Sequence, residues 1–120
     1  MNKVRFKIQN TMEAFGCEEE EEEILVALTD FGYEIFEAEQ PPGVIVTYHT
    51  HKREESIVLL EGKMQFNVEE ELSVVESGQV ITINANAIHS AATIEDQPAK
   101  ILIAFKNEIP KEELHEESEN

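Results

Sequence analysis

From residue 24 to residue 105 the chain switches between apolar and turn-forming residues every few positions, and no 12-residue stretch of it carries a helical stripe. This rhythm constrains the fold more than any other feature. Runs of four to eight β-branched or apolar residues bounded by Gly, Pro, Asn, Asp and Ser read as strands. The spacing predicts nine of them: Ile24–Leu28, Tyr33–Glu39, Val44–His51, Ser56–Glu61, Met64–Val68, Leu72–Val75, Val80–Ile83, Ile88–Ile94 and Ala99–Phe105. The turns between them are TDFG, QPPG, HKRE, EG, EEE, ESGQ, NANA and EDQP. Short strands so spaced predict an all-β sandwich or barrel. A length of 120 residues suits one such domain with one core, and neither an internal repeat nor a second domain is visible.

The ends differ in kind. Of the 26 acidic residues, seven lie in residues 1–23 and six in residues 106–120, against nine basic residues in the whole chain. The expected organisation is therefore an acidic segment over 1–23, a barrel over 24–107 and a flexible acidic tail over 108–120. The Glu18–Glu23 run repels itself and reads as a solvated flank rather than a cation-binding patch, and Met12–Phe15 reads as a short helical turn docked on the body. Cys17 is the single cysteine and has no internal partner. The neighbouring glutamates disfavour its thiolate, which argues against a nucleophile. A net charge of −17 argues against nucleic acid and against anionic membrane surfaces as partners. No apolar run is long enough to span a bilayer and no basic, hydrophobic start resembles a secretory signal, so a soluble cytoplasmic protein is expected.

The chemistry concentrates in GVIVTYHTHKREESIVLLEG, residues 43–62. Strand side chains alternate with period two, so a regular strand turns His49 and His51 to the same side as Ile45 and Thr47. After the HKRE turn, Glu55, Ile57 and Leu59 share a face. A His-x-His pair with a nearby carboxylate can converge on one ion: imidazole suits zinc, copper, iron and nickel, and the carboxylate adds hard character and removes a unit of charge. Taken alone, His-x-His is a weak signal. Glu54 is a rival carboxylate that a regular strand turns to solvent, and Arg53 reads as a turn residue. A second stretch, GQVITINANAIHSAAT at residues 78–93, adds a strand, a turn and His89.

Together the two stretches resemble the cupin superfamily, and in size its small single-domain members. The first family motif is Gly, five residues, His-x-His, three or four residues, Glu, six residues, Gly; it is complete here as Gly43, His49, His51, Glu55 and Gly62. Of the second motif, Gly78 and His89 match. Asn84-Ala85-Asn86 stands in the Pro-x-Gly place and Thr93 in the final Asn place. Asn tolerates left-handed backbone better than other non-glycine residues, so the turn can survive. The resemblance implies a jelly-roll barrel, or double-stranded β-helix. It also implies that His49, His51, Glu55 and His89 hold one divalent transition metal inside it: Fe, Mn, Ni, Cu or Zn.

The side chains expected to line such a pocket are Ile45, Thr47, Ile57, Leu59, Phe66 and Ile83, with Ile101, Ile103 and Phe105 if the last strand turns that way. No spare Asp, Lys or Tyr is placed as a general base, which leaves the ion as the reactive centre. Two readings of function stay open. One is a metal-dependent enzyme on a small-molecule substrate, of dioxygenase or isomerase type. The other is a non-catalytic module that stores or senses a small ligand or metal. A purely structural barrel fits less well, because buried unpaired His and Glu cost stability. On the opposite strand faces Val44, Val46 and Tyr48, and likewise Val58 and Leu60, form apolar rows. The N-terminal segment or a second copy should cover them, and a homodimer is expected.

Overall fold

The computed structural model describes residues 5–106. Nine strands and two helices lie in the order β1 (Phe6–Asn10), α1 (Thr11–Phe15), α2 (Glu21–Asp30), β2 (Tyr33–Gln40), β3 (Ile45–His49), β4 (Glu55–Glu61), β5 (Lys63–Val68), β6 (Glu71–Glu76), β7 (Gln79–Ile83), β8 (His89–Thr93) and β9 (Ala99–Lys106). They form a five-stranded sheet, β1-β7-β4-β9-β2, and a four-stranded sheet, β3-β8-β5-β6. Every strand pairing is antiparallel. Two such sheets with crossing connections make the jelly roll that the strand rhythm and the motifs led us to expect. The acidic tail expected from residue 108 lies outside the described residues.

The N-terminal third departs from the expectation. Ile24–Leu28 is not a strand but the middle of α2. Glu21, Glu22 and Glu23 fill its first turn, where negative charge is stabilised by the helix dipole. Ile24 and Leu28, four residues apart, then fall on one buried face. They pack with Phe15, Val58, Val80, Leu102 and Ala104 on the outer side of the five-stranded sheet. Each such fully buried aliphatic contributes roughly 1.5–3 kcal/mol. The apolar row at Val58 and Leu60 is thus covered by the chain's own N-terminal segment.

Before α2, α1 covers the expected turn at Met12–Phe15. It is held by a reciprocal capping box, in which the Asn10 side chain accepts from Glu13 N–H and the Glu13 carboxylate accepts from Asn10 N–H. Strand β1 was not anticipated; it pairs with β7 along Phe6↔Ile83 to Asn10↔Gln79. Within the segment read as separate, residues 6–15 therefore supply an edge strand and a helical turn to the domain.

Inside the sandwich, Ile57, Leu59, Met64, Phe66, Val68, Val75, Ile81 and Ile83 form the main core. Gly62, which closes the first motif, shows why glycine stands there. Its φ is +94°, and a Cβ would lie 2.9 Å from the Ala99 Cα, inside the backbone of β9. No helix among the described residues is long and apolar enough to cross a membrane.

Candidate metal centre

The four motif side chains arrive from three directions. Glu55 opens β4 and faces inward with Ile57; His89 opens β8 and shares its inward face with Ala91 and Thr93. His49 ends β3, and His51 follows in the loop. The His51 carbonyl accepts from the Asn86 N–H at 2.7 Å, which ties the loops of the two motifs together. Asn86, in the Gly place of Pro-x-Gly, takes φ +68°, so the turn is kept with asparagine in the left-handed region.

One potential ligand atom from each of His49, His51, Glu55 and His89 lies within 4.8 Å of the others. The His49 ring centroid is 4.8 Å from that of His51 and 4.2 Å from that of His89. Glu55 Oε1 stands 3.0 Å from His89 Nε2 and 3.7 Å from His51 Nε2. Glu55 is 4% exposed and His89 2%.

Backbone carbonyls orient two of the rings. His49 Nδ1 lies 2.8 Å from the Thr47 carbonyl oxygen, and His89 Nδ1 lies 2.9 Å from that of Ala87. A carbonyl can only accept, so both Nδ1 atoms carry the proton and each neutral ring keeps its lone pair on Nε2. For His89 that lone pair faces a carboxylate oxygen at 3.0 Å. Two acceptors at that distance repel unless a proton or a metal ion lies between them. Neither atom makes an aligned hydrogen bond, and both are buried. Burial lowers the pKa of His89, but Glu55 and the Ala87 carbonyl outweigh it and leave the group above its ordinary value. The Glu55 carboxylate beside it thus favours the protonated ring when no metal is bound. Burial holds the His51 ring below its ordinary pKa, aided by His49, His89 and Arg53 and opposed by Glu55; this favours the neutral ring, the form that binds metal. Three nitrogens and one carboxylate oxygen with two orphaned buried atoms fit a divalent transition ion.

The cluster lines a cavity of about 290 Å³. Of the residues expected to line it, Ile57 and Phe66 do, as do Ile101, Ile103 and Phe105 of the last strand. Ile45 and Thr47 do not. Both are exposed, and Val46 borders the cavity instead. The cause is a β-bulge: β3 pairs Val46 with Ala91 and then His49 with His89, so three steps on β3 match two on β8. One extra residue inverts the alternation, and Val46 and His49 both point inward. Leu59 and Ile83 point inward as expected but are packed into the core rather than bordering the cavity.

Phe36 and Gln40 of β2 also line the cavity and carried no sign of it in the sequence reading. They alternate with Ala38 on the face of β2 that pairs with β9, Phe36 opposite Ile103 and Ala38 opposite Ile101. Thr93, in the final Asn place of the second motif, donates its hydroxyl to the Gln40 carbonyl at 2.8 Å. Glu54 stands outside the cluster. Burial, then the Glu54 charge, raises the pKa of Tyr33. Arg53 is more than a turn residue: its guanidinium pairs with Glu34 at 2.9 Å and lies over the Phe105 ring, 4.9 Å from the centroid.

A cupin domain profile matches residues 36–105, more than half of the chain. The chain belongs to the cupin family. Among solved structures, this cupin is similar to the conserved SPY1581 protein of unknown function from Streptococcus pyogenes, at 17% identity and TM-score 0.59, over 65% of this chain and 67% of that one. It is also similar to a cupin-2 domain containing protein from Shewanella frigidimarina, at 19% identity and TM-score 0.54, over 60% of this chain and 68% of that one. A third is the DMSP lyase DddQ from Ruegeria pomeroyi, at 20% identity and TM-score 0.59, over 66% of this cupin but only 40% of the lyase. Such identities show the shared fold alone. No curated protein matches the chain significantly.

Proposed function

We propose that His49, His51, Glu55 and His89 hold one divalent transition ion, and that the protein is a metal-dependent enzyme acting on a small molecule in the cavity, of dioxygenase or isomerase type. The observation that carries this is the pair of buried, unsatisfied atoms, Glu55 Oε1 and His89 Nε2, facing each other within a converging four-residue cluster. Bound there, an ion would polarise a ligand oxygen or lower the pKa of a bound water. The chain's own part is to prepare the site. The Thr47 and Ala87 carbonyls hold two imidazoles in the ligating tautomer, and Glu55 brings one negative charge. The walls are apolar, and Gln40 offers one neutral hydrogen-bonding group to whatever enters.

Beyond the cluster, the cavity lining contains no Lys, Tyr or Asp. This favours, as a second reading, a module that binds a metal or small ligand without turnover. Turnover of a candidate substrate that stops on chelation and returns with one particular metal supports the enzyme; tight binding of the same compound without turnover supports the module.

The homodimer also remains our reading. Ile45, Tyr48, Leu72 and Val74 are exposed on the four-stranded sheet, where the two helices offer no cover. Elution in size exclusion at the 13.6 kDa mass of a single chain would refute it.

A further inference from the structure

The walls of the cavity restrict what it can take. Apart from the four cluster residues, Gln40 is the sole polar side chain among those that line it. Phe36, Phe66, Phe105, Ile57, Met64 and Ile103 make up most of the rest. No lysine or arginine reaches in. The guanidinium of Arg53, which lies over the ring of the lining residue Phe105, is already paired with Glu34 at 2.9 Å.

The charge count follows. A divalent ion with the Glu55 carboxylate and neutral histidines leaves one formal positive charge. A single anionic head on the ligand balances it. A second anionic group would stand in an apolar pocket with no cation to meet it, which is costly. A chain of hydroxyls fares badly too, because Gln40 can satisfy only one or two, and each buried hydroxyl left unpaired costs roughly tenfold or more in affinity. The volume of about 290 Å³ lies near the lower end of the range for small-molecule pockets, and so suits a compact molecule.

We propose that this cavity receives a compact, apolar-bodied molecule with a single chelating oxygen head, at most singly charged, and that it discriminates against polyanions and polyols. The inference rests on the metal reading above and adds the class of ligand to it. The head meets the ion at the cluster, and the body lies among Phe36, Phe66, Phe105 and the isoleucines.

The test uses the whole chain loaded with cobalt(II), its metal content first measured by elemental mass spectrometry. Four probes are titrated calorimetrically: benzohydroxamate, acetohydroxamate, oxalate and gluconate. The two hydroxamates share one chelating head and differ in the apolar body, so their ratio reports the walls and not the ion. Benzohydroxamate is expected to bind at least about tenfold tighter than acetohydroxamate, and oxalate and gluconate more weakly than benzohydroxamate. Ile103→Trp, which fills the cavity from its half-buried edge, should erase the difference between the hydroxamates while metal content stays at one equivalent. If that variant does not fold, Ala91→Leu narrows the same space. One equivalent of metal with equal hydroxamate affinities, or with oxalate or gluconate binding tightest, overturns the ligand class alone. Failure to retain metal overturns the metal reading and this inference with it.

Discussion

Replacing Glu55 by glutamine separates a metal ligand from a polar core residue. The side chain is almost fully buried, and its Oε1 lies 3.0 Å from His89 Nε2 without an aligned hydrogen bond. Glutamine keeps the shape and removes the charge. In metal-free protein, Glu55→Gln takes away a buried, poorly compensated carboxylate, so stability should rise or fall by less than about 1 kcal/mol. With metal present the sign reverses. Loss of the anionic ligand should weaken binding by on the order of 100-fold or more, which is about 2.7 kcal/mol. At a metal concentration of 100 times the wild-type Kd, the wild type gains about 2.7 kcal/mol and the variant almost none. For a domain of this size the difference in Tm should be roughly 10 °C. The assay is thermal unfolding of both proteins, with and without metal, after chelation and dialysis. If Glu55→Gln is strongly destabilised without metal, and gains as much from metal as the wild type does, Glu55 is structural and the argument from its orphaned oxygen fails.

Other parts of the structure can be tested separately. Leu28→Ala empties a fully buried position between α2 and the five-stranded sheet, and should cost about 2–5 kcal/mol in denaturant unfolding while leaving metal content unchanged. Asn86 sits at φ +68°, so Asn86→Val should cost on the order of 1–2 kcal/mol and Asn86→Gly little or nothing. Burial, Glu23 and Glu18 all raise the Cys17 thiol above its ordinary pKa. Alkylation at neutral pH should therefore be slower than that of a free thiol and should quicken in Glu18→Gln/Glu23→Gln; equal rates in the two proteins would remove the charge effect.

The barrel and the four clustered residues were legible because both depend on spacing. Eight of the nine expected strands are present, and the positions of His49, His51, Glu55 and His89 relative to the motif glycines could be read directly. The cavity walls were legible only in part, because they depend on parity: Ile57 and Phe66 were anticipated, but Ile45 and Thr47 were not placed correctly. The bulge between Val46 and His49 adds one residue that leaves no mark on the pattern of apolar and polar residues, and it sends Ile45 and Thr47 outward. Phe36 and Gln40 were missed for a related reason: only pairing with β9 decides which face of β2 turns inward. Helix α2 was hidden by context. ILVAL reads equally well as a strand, and the glutamates before it read as a solvated run until their place in the first helical turn is seen.

The central claim is that the three histidines and Glu55 hold one ion. It is tested most directly by elemental mass spectrometry on untagged protein, with His49→Ala and His89→Ala purified alongside. The account predicts about one equivalent of a single transition metal in the wild type, lost in both variants. Wild-type protein with no metal, and no melting shift on adding Fe, Mn, Ni, Cu or Zn, would contradict it.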